Sequence, residues 1–168
     1  NSVPSIVTDK SGAIYRLRPI RPADAPSLMR GYDAMSEEEK WFRMLHSVPH
    51  LSVPMARRFC SPDPERDVCL VIEGRGALRG EILGGARISG DADGGAEFSV
   101  SLRPEGRGLG LGYGALLAVL GAARGMGIKH VWGTIAVQNT AMISLARSVG
   151  FQVSPHPEDA AMLRADLD

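Results

Sequence analysis

The chain has 168 residues and a mass of 17.9 kDa, a length that predicts one domain rather than two. Lysine plus arginine total 19 and aspartate plus glutamate total 19, so the formal net charge is zero; this excludes a whole-chain electrostatic grip on nucleic acid or an anionic membrane. Hydrophobic residues at 44% and charged residues at 23% exclude a disordered chain. No apolar run approaches the roughly 20 residues that cross a bilayer, and Asn1–Lys10 lacks the basic-then-apolar order of a secretory leader. The chain opens without an initiator methionine and is expected to be a piece of a longer or processed protein. Cys60 and Cys69 make neither a disulfide framework nor a zinc site, and His46, His50, His130 and His156 lack ligand spacing. A reduced, cytoplasmic protein without a metal is expected.

Residues 13–20 alternate apolar and polar and predict a half-buried strand. Pro22–Pro26 places prolines in a helix's permitted first turn, and that helix is expected to run to Met35. Ser36 followed by Glu39 fits a capping box and opens a second helix through Trp41, Phe42 and Leu45, read as core-facing, with Glu37, Glu38 and Glu39 as a solvated first turn. After a turn-rich stretch a short helix is expected over Met55–Phe59. Strands are expected over Asp67–Glu73, Ile82–Ile88 and Glu97–Leu102, the last two joined by a hairpin loop at Asp91–Gly95. A glycine-rich loop, Glu105–Gly112, then feeds a helix over Tyr113–Arg124. His130–Val137 reads as a strand in which His130 and Trp132 pack. Thr140–Ser148 reads as a helix closed by Gly150, and Phe151–Ser154 and Met162–Asp166 as short strands. The order β-αα-βββ-α-β-α-ββ describes a mixed α/β domain over residues 13–168, with 1–12 as an N-terminal extension.

The glycine-rich loop is the most informative stretch. Glycines where a strand gives way to a helix let backbone N–H groups converge on an anion, and Arg107 adds charge at the entrance; a tight turn allowing close packing is the alternative. A P-loop needs lysine then serine or threonine after its last glycine, whereas Gly112 is followed by Tyr113 and Gly114. Gly110–Ala115 formally fits the G-x-G-x-x-A dinucleotide fingerprint. That reading needs an acidic residue about 20 positions later, yet none occurs between Glu105 and Glu158.

What remains is Arg-x-x-Gly-x-Gly, carried by Arg107, Gly110 and Gly112, after a strand and before a helix. This resembles motif A of the GNAT superfamily of N-acetyltransferases. The segment Asn139–Phe151 resembles that family's Asn-x-x-(small or Met)-x-x-Leu-x-x-x-x-Gly-Phe stretch, and Leu17–Asp24 its opening strand and helix. Met35–Arg43, Ala96–Phe98 and Met142–Ala146 are most similar to bacterial Pat-type protein lysine acetyltransferase domains.

The resemblance implies a central, mostly antiparallel mixed sheet flanked by helices, and acetyl-CoA as acyl donor. Val100, Ser101 and Leu102 are then expected to pair with the pantetheine arm, and Arg107, Gly108, Leu109, Gly110, Leu111 and Gly112 to hold the pyrophosphate. Asn139 is expected at the cofactor, or else as a plain helix N-cap. Glu97 is expected as the catalytic base, with a solvent-facing strand carboxylate as the alternative. Where the family often carries a tyrosine as general acid, this chain has Ala146. The implied activity is acetyl transfer to an amine by a monomer or homodimer, with a protein lysine favoured as acceptor. A small-molecule amine (polyamine or aminoglycoside), a non-catalytic acyl-CoA sensor and a ligand-free interaction domain are the alternatives.

Overall fold

In the computed structural model, which describes residues 4–168, the strands are β1 (Ile6–Thr8), β2 (Ile14–Pro19), β3 (Asp67–Glu73), β4 (Ile82–Gly90), β5 (Ala96–Leu102), β6 (Val131–Ala136), β7 (Gln152–Pro155) and β8 (Met162–Leu167). They form one sheet in the order β1-β2-β3-β4-β5-β6-β8-β7. Every pairing is antiparallel except β5 with β6. The helices are α1 (Ala25–Asp33), α2 (Glu37–Met44), α3 (Val53–Phe59), α4 (Leu111–Gly125) and α5 (Thr140–Val149). This is the mixed, mostly antiparallel sheet with flanking helices that the sequence resemblance implied.

Period-two alternation sends each strand's side chains to two faces. Leu70, Ile72, Ala86, Ile88 and Phe98 face α4, which buries Leu111, Ala115, Leu116 and Val119 against them. Cys69 and Val71 face the other way, into a second core with Tyr32 of α1, Ala56 of α3, and Leu51 and Cys60 from the segments that flank α3. In β4 the alternation slips by one residue: Ile82 faces the second core while Leu83, Ala86 and Ile88 all face the first. The cause is a bulge, where Ile72 pairs with Gly84 and Glu73 with Ile82, leaving Leu83 as the extra residue.

Local signals set most boundaries. Ser36 Oγ accepts from the Glu39 N–H at 3.1 Å and Glu39 returns the bond to the Ser36 N–H at 2.7 Å, the expected capping box. Asp91 closes the β4–β5 hairpin by accepting from the N–H groups of Asp93 and Gly95. Gly150 sits at φ +112, ending α5 as expected.

Three elements depart from the sequence reading. Helix α3 begins at Val53 because Ser52 caps it and Pro54 fits its first turn. Helix α4 begins two residues earlier than expected, at Leu111. Strand β1 is new; it falls within the stretch read as an extension, of which residues 1–3 lie outside the described residues. It pairs with β2, buries Val7, and approaches α4 so closely that a Cβ on Gly114 would come within 2.9 Å of Val7 Cγ1.

Candidate active site

Strands β5 and β6 run parallel for only two pairs, Ala96 with Val131 and Glu97 with Trp132. Beyond Glu97 they part. β5 stays bonded to β4 as far as Leu102, and β6 to β8 as far as Ala136, but between them the ladder stops. The backbone edge of residues 98–102 is therefore left facing a cleft. Buried or half-buried peptide groups need partners, so this edge is ready for an extended ligand.

The cleft has a volume of about 460 Å³. Glu97, Val100, Ser101, Leu102, Arg107, Gly108, Gly110, Gly112 and Asn139 all line it. Two of the expected residues do not. Leu111 is fully buried and Leu109 packs on the core, so within the loop these side chains anchor while the glycines line the cleft.

The loop turns through Gly108 at φ +72 and Gly110 at φ +84, a region where a side chain is strained. Gly110 is also the N-cap of α4, so the unpaired N–H groups and positive end of that helix face the loop. Asn139 caps α5, its Oδ1 accepting from the Met142 N–H at 3.2 Å, as its N-cap reading expected, and it also lines the cleft.

Glu97 lies on the α1–α3 face of β5, exposed to solvent at the cleft. Partial desolvation by the surrounding protein raises its carboxyl pKa, against a smaller lowering by the Arg43 and Arg164 charges. Its neighbour Trp132 is fixed by an indole N–H bond to Asp91 at 2.8 Å and by the Arg164 guanidinium 4.4 Å from its ring centre. His130 lies just outside β6 and pairs with Asp166 and Asp168 rather than packing within the strand.

Lys10 also reaches the site, and the sequence reading missed it. It sits on the β1–β2 turn, donates its backbone N–H to the Leu109 carbonyl at 2.8 Å, and lays its side chain across Gly110. Arg107 is less free than expected: its guanidinium donates to the Leu102 carbonyl and pairs with Glu39 of α2.

That ion pair corrects the reading of Glu39 as part of a solvated turn. The phase of α2 is corrected too. Its buried residue is Lys40, whose ammonium donates to the Pro49 carbonyl at 2.8 Å, whereas Trp41, Phe42 and Leu45 are only half-buried. Phe42 and Leu45 line the cleft with Met35. At the C-cap of α2, Leu45 takes φ 60, the one left-handed non-glycine among the described residues. Ala146 is fully buried in α5, so no side chain from that position reaches the cleft.

The family model described as an acetyltransferase (GNAT) domain matches residues 15–152. The chain belongs to the GNAT acetyltransferase family. It is similar to the GNAT domain of S. lividans PAT, with 26% identity, a TM-score of 0.85, and 97% of this chain and 95% of that one covered. It shares the fold of the ribosomal α-N-protein acetyltransferase RimL in complex with coenzyme A (16% identity, TM-score 0.70, covering 98% and 96%). It also shares the fold of a cAMP-binding acyltransferase from Mycobacterium smegmatis (19% identity, TM-score 0.63), covering 97% of this chain but 46% of that one. Membership makes this GNAT domain an N-acetyltransferase. Among the described residues no helix is long and apolar enough to cross a membrane, and no group of three or more His, Cys, Asp or Glu side chains is placed to hold a metal ion.

Proposed function

We propose that the chain transfers an acetyl group from acetyl-CoA to a primary amine, with a protein lysine as acceptor, by direct transfer in a ternary complex with Glu97 as general base. The observation that carries this reading is the parting of β5 from β6, with the glycine loop and Glu97 both on the cleft it opens. The likeness to the GNAT domain of S. lividans PAT supports the choice of a protein acceptor.

The residues present fit the donor. Along this edge Val100 turns its N–H and carbonyl, and Leu102 its N–H, away from β4 towards the cleft and an extended arm, while Ser101 bonds to β4 and the Leu102 carbonyl accepts from Arg107. The N–H groups of the loop through Gly108, Gly110 and Gly112, at the start of α4, suit a pyrophosphate. Arg107 is already paired with Glu39, so Lys10 is the cation at this loop that the proposal adds. When bound, acetyl-CoA supplies an acyl carbon activated as a thioester.

An acceptor lysine has a reference pKa of about 10.4, so only roughly one part in a thousand is free amine near neutrality. Glu97 takes the proton as the amine nitrogen bonds to the acyl carbon; the C–S bond breaks and its electron pair leaves on sulfur. A thiol pKa near 8.5 makes that thiolate a fair leaving group without a dedicated acid, which accommodates Ala146 in place of a tyrosine.

Thermal unfolding with acetyl-CoA at 100 times its Kd tests the donor half. Binding at that level stabilises the fold by about 2.7 kcal/mol, a midpoint rise of roughly 5–11 °C for a chain this size. That rise, together with thiol release that depends on an added lysine peptide, is the expected result. No rise at millimolar acetyl-CoA overturns the reading.

A further inference from the structure

The α1–α3 face holds a second space, about 80 Å³, with room for several waters or a carboxylate-sized group. Arg43 of α2, Arg87 of β4 and Arg103 line it. Arg43, Ser99 and Ser101 line the Glu97 cleft as well, so the two spaces meet.

Arg43 and Arg87 hold their guanidinium groups 5.5 and 5.6 Å from the centre of the same Phe59 ring. Among the described residues, neither has a carboxylate within ion-pair distance. Arg87 donates to the Phe59 carbonyl, Arg43 makes no hydrogen bond, and the end of α2 offers Arg43 only a partial negative charge. Burial, and after it the charge of Arg87, lowers the Arg43 pKa. Of the nearby acids, Asp24 is held by Arg18 through two bonds of 2.8 Å and Glu81 by Arg30 through two of 2.6 Å, while Glu97 shares the cleft with Arg43 and feels its charge without reaching ion-pair distance. Arg103, 8% exposed, leaves Nε and Nη1 without hydrogen-bond acceptors, although Glu81 and Glu105 lie at 3.6 and 3.5 Å.

Two half-buried like charges that share one ring and line one space, with no carboxylate paired to either, favour an anion in that space. The sheet puts that anion beside the base. Arg87 lies directly across from Ser99, and Glu97 is two residues along on the same face, a diagonal of roughly 7–8 Å. One small molecule, or neighbouring residues of an extended peptide, spans that distance. A polyamine or aminoglycoside meets repulsion there.

Resting on the acetyl-transfer reading above, we propose that Arg43 and Arg87 bind a carboxylate carried by the amine acceptor, so that the enzyme selects amines with an acidic group close by. That group belongs either to a free amino acid or to an acidic side chain beside a target lysine.

The test is acceptor-dependent thiol release from acetyl-CoA by the whole chain. One arm compares β-alanine with β-alaninamide; the other compares lysine peptides whose neighbouring residue is glutamate or glutamine. The charged acceptor is expected to lead in kcat/KM by about tenfold or more in one arm, which names the source. Arg87→Gln and Arg43→Gln are expected to cut the charged-to-neutral ratio about tenfold, and Arg87→Lys to restore part of it. The midpoint rise with acetyl-CoA reports that each variant is folded. Equal use of charged and neutral acceptors in both arms, or a ratio unmoved by both glutamine variants, overturns the proposal.

Failure of acetyl transfer itself reads differently. If acetyl-CoA binds but no acceptor is turned over, titration with N-acetyl-β-alanine decides. Tighter binding to the unsubstituted chain than to Arg87→Gln upholds the anion site, and equal binding removes it.

Discussion

On the α4 side of the sheet, Leu111, Ala115, Leu116 and Val119 have no exposed surface, and glycines and alanines let helix, strand and loop backbones approach closely. On the α1–α3 side, three arginines, a phenylalanine and two methionines leave an open space. Both sides meet at the parted edge of β5. On the proposed reading the α4 side binds the donor with backbone, which is the same whatever side chains surround it, and so it needs a rigid, close-packed support. On the same reading the α1–α3 side meets the acceptor with side chains from four separate segments, and the hollow there leaves room for it. The proposal accounts for the difference in packing across one sheet by two ligands recognised by different parts of the chain.

The comparison breaks most visibly at the border. Glu97→Gln keeps the shape of the cleft and removes the base, so kcat is expected to fall about 10²- to 10⁴-fold while the midpoint rise with acetyl-CoA persists. If both fall together, Glu97 supports the donor side rather than the reaction. The pH profile sharpens this. Desolvation raises the Glu97 pKa, so activity is expected to be lost as pH falls through a value above the ordinary carboxylate range. Arg43 opposes that shift, so Arg43→Gln moves the acid limb to higher pH.

Next in size is a test of packing itself. Leu116→Ala removes a fully buried side chain from the α4 face and is expected to cost about 2–5 kcal/mol, roughly 4–20 °C in melting midpoint. Leu28→Ala, at a half-buried position beside the open space, is expected to cost less than half as much in the same denaturation series. Equal losses mean the two faces are packed alike, and the contrast drawn above fails.

The glycine loop and helix caps that line the cleft were legible because their signals are local. Gly108, Gly110 and Gly112 stand within five consecutive residues, the Asn139 cap within four of Met142, and the Ser36–Glu39 box within one turn. The second space was not. Arg43 of α2, Phe59 of α3 and Arg87 of β4 meet only in the tertiary fold, and no periodicity encodes that meeting. The parting of β5 from β6 is likewise a matter of register between strands separated by α4. Strand β1, three residues long, is too short to show alternation. The phase of α2 was misread because Lys40 buries its stem and still satisfies its ammonium on the Pro49 carbonyl, displacing Phe42 to the cleft wall.

The smallest effect is also the most direct probe of the hollow face. Gly31 lies in the interior of α1 with an ordinary helical backbone and lines the open space. A Cβ added there meets Arg103 Cβ at 3.8 Å and Cδ at 3.9 Å, ordinary contact distances. Alanine in place of glycine at such a site narrows the freedom of the unfolded chain and is worth about 0.5–1 kcal/mol. Gly31→Ala is therefore expected to raise the melting midpoint by roughly 1–4 °C. On the α4 face the same change at Gly114 drives a Cβ against Val7 and is expected to lower it. Opposite signs for one chemical change on two sides of one sheet are what a packed face and a hollow face require; a fall at Gly31 means that Arg103 is held too tightly for the space beside it to serve a ligand.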